Sequence, residues 1–96
     1  MADIGADPDQ LEALAQGLSS ASGDLRRSVA GIDAKLQRAG WHGRDADRFR
    51  TAWRSRHRRD LIRRADAFGS LASEVRRHAG EQRRASASTG PAGPVA

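Results

Sequence analysis

The chain has 96 residues with a mass of 10.3 kDa, contains no cysteine, and is only 4% aromatic. A chain of this size forms one domain at most and has no disulfide or cysteine-based metal site to reinforce it. Its net charge is +5 and its mean hydropathy is −0.71. These values, with no long apolar run, exclude a membrane span and favour exposed helices over a catalytic cleft.

A first helix is predicted from residue 8 to residue 38, after a short polar lead at 1–6 that we expect to be flexible. Asp7 and Pro8 indicate its start, because Asp accepts hydrogen bonds from free amides and Pro tolerates the first helical position. Apolar residues then recur at intervals of seven, which is the spacing of a helix packed along one side. These residues are Leu11, Leu18, Leu25 and Ile32.

Small residues weaken the middle of this first helix. Gly17, Gly23 and Gly31 lie within it, and each costs about 1 kcal/mol relative to Ala in a helix interior. One interpretation is a continuous helix that is held by packing, in which the small residues let another helix approach closely. The other is a break near Ser19–Gly23 that leaves two shorter helices.

A turn is predicted at 39–44 and a second helix at 45–84. Two glycines, Gly40 and Gly43, bracket the turn, and glycine readily adopts the positive φ that ends a helix. The second apolar stripe steps by fours around His57, which predicts a shift of the stripe around the helix and places His57 on it. Residues 85–96 are small, polar and rich in Pro and Gly, so we expect a disordered tail.

The fold class predicted from these elements is all-α, an antiparallel helix-turn-helix hairpin. Two helices alone form a thin rod, which buries too little apolar surface to offset its ordering entropy. We therefore expect dimerisation into a four-helix bundle, either with a second copy or with a different hairpin. The predicted packing residues are Leu11, Leu14, Leu18, Leu25, Val29, Ile32, Leu36, Phe49, Trp53, Leu61, Phe68, Leu71 and Val75.

The central turn carries the sequence Trp41-His42-Gly43, followed by Phe49 and Trp53 in the next helix. A Trp-x-Gly turn between two amphipathic helices, in a chain of about this length, resembles the WXG family of small early-secreted-antigen-like substrates of type VII (ESX) secretion. The resemblance covers about residues 7–84. It implies a helical hairpin that dimerises with itself or with another hairpin of the family, with Trp41 and Gly43 in the turn as part of an export signal.

The resemblance also implies an extracellular location, reached without a cleaved signal peptide and after a cytoplasmic pool. The N-terminal residues lack the basic and apolar regions of a cleavable signal peptide. The second half of the family's export signal is a Tyr-x-x-x-Asp/Glu sequence after the second helix, and this chain contains no Tyr. This departure fits a chain that is exported with a signal-bearing partner, or a dedicated chaperone or adaptor for a larger secreted toxin.

Positive charge is concentrated in the second half of the chain: the net charge is −2 over residues 1–40 and +7 over residues 41–96. Four interpretations of the basic run at 54–64 remain open. They are a solvated helix face with local ion pairs, contact with an acidic partner helix, phosphate binding to nucleic acid, and an anionic membrane surface. The arginines concerned are Arg54, Arg56, Arg58, Arg59, Arg63 and Arg64.

The remaining polar residues do not form a catalytic or metal-binding pattern. His42, His57 and His78 lack the spacing of metal ligands, and no nucleophile–base pair or phosphate-binding loop is present. We therefore predict that the chain is not an enzyme and has no cofactor. The sequence favours an interaction protein, and the principal alternative is a basic nucleic-acid-binding protein that uses the second helix.

Overall fold

Two long helices joined by a short turn form the whole of the fold that the computed structural model describes, over residues 6–89. The first helix, α1, spans Pro8–Arg38. The second helix is continuous but has three parts, namely α2 at Arg44–Ala52, a π-helical turn at Trp53–His57 and α3 at Arg58–Thr89. No strand occurs in the described range, so the fold class is all-α.

Local chemistry at Asp7 and Pro8 begins α1 as the sequence predicts. The Asp7 carboxylate accepts the backbone N–H of Asp9 at 2.9 Å, and the Asp7 carbonyl accepts that of Leu11 at 3.0 Å. The first bond satisfies an amide that the first helical turn leaves free, and the second is the first regular bond of the helix. The helix then continues without interruption to Arg38, so the alternative of a break near Ser19–Gly23 does not occur.

The turn between the helices depends on two glycines with positive φ. Gly40 has a φ of 64°, in the left-handed region that commonly ends a helix. Gly43 has a φ of 113° and a ψ of −178°, a combination that is populated essentially by glycine alone. The second helix begins directly after it at Arg44. These two backbone conformations reverse the chain, and Trp41 and His42 lie exposed at the tip.

Mainly small side chains form the seam along which α1 and the second helix pack. On α1 the seam residues follow each other at intervals of seven, and so do those on α3, as the packing of two nearly parallel axes requires. The Ser22 hydroxyl donates to the Ala65 carbonyl across the seam at 2.7 Å, which requires close contact between the helices. The buried seam residues are Ala15, Ser22, Val29, Ala46, Trp53, Ala65, Ala72 and Ala79.

The large apolar residues lie beside this seam and remain partly exposed in the single hairpin. Of the thirteen predicted packing residues only Val29 and Trp53 are buried, while Leu14, Phe49 and Leu71 are 52%, 43% and 46% exposed. The hairpin measures 77 × 21 × 15 Å between Cα atoms, so it is one helix layer thick. The partly covered residues are Leu11, Leu18, Leu25, Ile32, Leu36, Leu61, Phe68 and Val75.

The run of four-residue steps around His57 is accommodated by the π-helical turn. The backbone N–H of Arg58 donates to the Trp53 carbonyl, five residues earlier, so one extra residue fits into the turn. The Ser55 hydroxyl donates to the Thr51 carbonyl at 2.7 Å. The prediction that His57 lies on the packing stripe is wrong, because the extra residue brings Arg58 to the seam and leaves His57 exposed.

The second helix ends later than predicted. It continues to Thr89, so residues 85–89 are helical, whereas a disordered tail was expected to begin at 85. The reason is local: residues 85–89 contain Ala and Ser but no Gly or Pro, which begin only at residue 90. The rest of the expected tail at 90–96, and most of the expected lead at 1–6, lie outside the described residues. Within 6–89 neither helix is apolar enough over a sufficient length to cross a bilayer.

Candidate interaction surfaces

The seam divides the hairpin into two faces of opposite character. Residues three positions after the seam residues lie on the same side of both helices, because the helices are antiparallel. We call the surface formed by the apolar residues among them, together with four further leucines, the apolar face. Its members are Leu11, Leu14, Leu18, Leu25, Ile32, Phe49, Leu61, Phe68, Leu71 and Val75.

Trp41 lies at the turn end of this face. Its ring packs against Phe49 with centroids 5.7 Å apart and an angle of 48° between the planes, yet 42% of its surface stays exposed. Tilted aromatic pairs of this kind are favourable beyond the area they bury. The indole therefore contributes to packing at the tip and also remains accessible to another molecule. Gly43 has no such surface role, since its contribution is the backbone conformation of the turn.

Ion pairs between the helices occupy the opposite face, which we call the polar face. Arg26 pairs with Asp66 near the middle, and Arg83 pairs with Glu12 and Asp9 near the open end, both at 3.1 Å. All these groups are well exposed, so solvent screens the attraction and each pair contributes little to stability. Their main effect is on alignment, because a shift of one helix along the other separates every pair.

Trp53 and Asp33 form a polar contact on this face in which the donor side chain is buried. The Trp53 indole N–H donates to Asp33 Oδ1 at 2.8 Å, and Arg58 Nε approaches Oδ1 and Oδ2 at 3.2 and 3.0 Å. Trp53 is only 6% exposed, so its indole holds the carboxylate from a fixed position. The hydrogen bond from Trp53, followed by that from Arg58, holds the pKa of Asp33 below its ordinary value of 3.8.

We expect Asp33→Asn to lower the free energy of unfolding by about 1 kcal/mol at neutral pH, which is below the usual range for hydrogen bonds to a charged group because the carboxylate is partly exposed. A lowered native pKa stabilises the fold above the unfolded value of 3.8, and this contribution is lost as the pH falls through the native pKa. Urea titrations of both proteins should therefore differ more at pH 7 than at about pH 3, because the contribution of Asp33 shrinks once the pH is below 3.8. Asp60→Asn, at an exposed site, is the control, and an Asp33→Asn difference that is equal at both pH values contradicts the prediction.

A groove of about 610 Å³ opens beside this contact. Asp33, Leu36 and Gln37 line it from α1, and Arg50, Trp53, Arg54 and Arg58 line it from the second helix. Arg50 donates to the Leu36 carbonyl at 3.3 Å. The groove thus has an apolar floor and three guanidinium groups against one carboxylate. Leu36, a predicted bundle-core residue, lies here and not on the apolar face.

The six arginines of the basic run do not act as one surface. Arg58 forms an ion pair with Asp33, and Arg63 lies 3.8 Å from Asp60. Arg54 lines the groove. Arg56, Arg59 and Arg64 are exposed, with no acidic partner in the described range. The local ion pair of the basic run therefore joins residues three positions apart. His57 and His42 are also exposed, and no three acidic or histidine side chains within 6–89 are grouped as for a metal ion.

Sequence reasoning missed two features of these surfaces. The Trp53–Asp33 bond joins residues twenty positions apart, and no local pattern marks it. The alanines of the seam recur in the sequence at intervals of seven, but large apolar residues recur with the same period, so the sequence does not show which row makes the contact. In comparisons with known proteins, no family model, curated protein or solved structure matches the chain.

Proposed function

We propose that the chain is a small type VII secretion substrate, or a co-secreted partner, that acts by associating through the apolar face into a four-helix bundle. The observation that carries this proposal is the half-exposed state of Leu14, Phe49 and Leu71 on a rod one helix layer thick. Covering the exposed half of one such side chain gains about 1 kcal/mol. Three such side chains lie on the apolar face beside seven that are partly covered, so a second hairpin laid on that face completes a core.

The turn supports the secretion part of the proposal. The WXG-like sequence occupies an exposed tip, Gly43 has a conformation that only glycine adopts readily, and the Trp41 ring remains accessible. An accessible indole beside a dimer interface is suited to recognition by another protein. The expected location is extracellular, with a cytoplasmic pool before export, and the lack of Tyr favours export with a signal-bearing partner.

The association is tested by light scattering of the purified chain and of the double variant Leu14→Glu/Leu71→Glu. Two added carboxylates on the apolar face should convert a dimer into a monomer, because they cannot be covered without desolvation. Ala30→Glu/Ser73→Glu is the matched control, since Ala30 and Ser73 are both exposed and directly follow seam residues on the polar side. A stable wild-type dimer supports a homodimer, and a poorly folded monomer supports an obligate heteropartner. A rigid, cooperatively melting monomer at micromolar concentration overturns the proposal.

Secretion is tested in a host with a type VII system, by measuring the chain in the culture medium with and without the secretion ATPase. Trp41→Ala should abolish export while leaving the helical content and the association state unchanged, and His42→Ala at the neighbouring exposed position is the control. Export that is independent of the ATPase contradicts the proposal. If export requires the ATPase but Trp41→Ala is exported as well as the wild type, the indole is not part of the export signal.

Two alternatives remain, a chaperone or adaptor for a larger secreted toxin and a nucleic-acid-binding protein. The exposed Arg56, Arg59 and Arg64 favour the second, because unpaired guanidinium groups bind phosphates without sequence preference. Salt separates it from the proposal: phosphate binding weakens steeply as salt is raised, whereas an apolar dimer persists. The chaperone role differs from the substrate role in its partner, which co-purification with a toxin would identify.

A further inference from the structure

The groove beside Trp53 lies on the polar face, away from the apolar face on which dimerisation is proposed. It therefore stays accessible whether or not the chain associates, and an inference about it goes beyond the proposed function. The groove lies next to the π-helical turn, and single π turns within α-helices are frequent at functional sites. Its volume of about 610 Å³ falls in the range of ligand-binding clefts.

The charges that line the groove are unbalanced. Among the described residues, Asp33 is the only carboxylate on its walls, and Trp53 and Arg58 together donate to both of its oxygens. Arg50 donates one N–H to the Leu36 carbonyl, so most of its donors remain available. Arg54 has no acidic partner within residues 6–89. Arg50 and Arg54 are four residues apart in the helix and therefore lie side by side at the wall.

The floor and the wall of the groove together indicate the chemistry of its occupant. Two neighbouring guanidinium forks match the planar geometry of carboxylates, which they bind through paired N–H donors. Leu36 provides an apolar surface beside them, and the Gln37 amide can both donate to and accept from a peptide backbone. The Trp53 ring is too buried to stack on a nucleic-acid base, which is how single strands are usually held.

We propose that this groove binds an acidic peptide segment of a partner protein, with a carboxylate between Arg50 and Arg54 and an adjoining aliphatic side chain against Leu36. The Asp33 carboxylate, held by Trp53 and Arg58, fixes the far wall and repels a second carboxylate there. The groove thus binds a segment in which one acidic residue adjoins an apolar one more tightly than a segment made only of acidic residues.

The binding test is a titration of the full chain with a blocked synthetic heptapeptide in which Asp and Glu flank two Leu residues. Binding is followed at about 0.15 M salt by the NMR signal of the Trp53 indole N–H, which Trp41→Phe distinguishes from the other indole. Arg54→Gln should weaken binding about tenfold, as expected for the loss of a charge-assisted contact. Arg59→Gln removes the same charge from an exposed position outside the groove and should leave the affinity unchanged.

Four results would overturn the proposal: equal weakening by Arg54→Gln and Arg59→Gln, unchanged affinity in Arg54→Gln, no shift of the Trp53 signal, or equal binding of a control peptide with Asn and Gln in place of the acids. Tighter binding of single-stranded DNA that depends on Arg54 would also overturn it in favour of a phosphate ligand. The titration is repeated with Leu14→Glu/Leu71→Glu. Binding that persists in this variant separates the groove from the dimer, so either proposal can fail alone.

Discussion

Ala72→Leu is expected to lower the free energy of unfolding of the hairpin by about 3 kcal/mol, the upper part of the range for overpacked cores. Ala72 is 1% exposed and lies on the seam between Ala65 and Ala79. Three added carbon atoms have no space at this position unless the helices separate. Separation would also lengthen the Ser22–Ala65 hydrogen bond, which spans the seam at 2.7 Å.

Urea unfolding followed by circular dichroism measures this effect, at one protein concentration for all variants. Ala67→Leu is the matched control, because Ala67 is exposed on the same helix and Leu and Ala have similar helix propensities. We expect the control to differ from the wild type by no more than about 0.5 kcal/mol. If Ala72→Leu is as stable as Ala67→Leu, the helices do not meet along the alanine seam.

Trp53→Ala is expected to lower the free energy of unfolding by a similar amount, about 3–5 kcal/mol, as for other buried Trp residues truncated to Ala. The substitution removes the largest buried side chain of the seam and leaves Asp33 without its indole donor. Trp53→Phe separates the two contributions, because it retains most of the ring packing and removes the N–H. We expect it to cost about 1–2 kcal/mol, as for one unmade hydrogen bond to a charged group.

The second tryptophan provides the control. Trp41→Ala makes the same chemical change at a position that is 42% exposed, so in the single hairpin it should cost no more than about 1 kcal/mol. The measurement is again urea unfolding, with the loss of far-ultraviolet ellipticity as the signal. A larger loss of stability for Trp41→Ala than for Trp53→Ala would mean that the tip, and not the Trp53–Asp33 contact, stabilises the helix pair.

The main elements of this fold follow from local signals in the sequence. Asp7 and Pro8 begin α1 because a carboxylate and a proline suit the free amides of a first turn, whatever packs later. Gly40 and Gly43 produce the turn because positive φ is readily available to glycine. The apolar period predicts two helices with one apolar side each. These features depend on a few neighbouring residues, so no knowledge of the partner helix is needed.

Only the tertiary structure decides which row of that side makes the contact. Ala65 and Ala72 recur every seven residues, and so do Phe68 and Val75, hence both rows share a period and differ by a small rotation about the helix axis. Close approach of the backbones selects the alanine row and leaves the larger residues at its edge. The sequence marks the π turn only as a run of four-residue steps around His57. The pairing of Trp53 with Asp33 is decided by the tertiary structure, since it depends on an atom of the opposing helix, which a local sequence pattern does not contain.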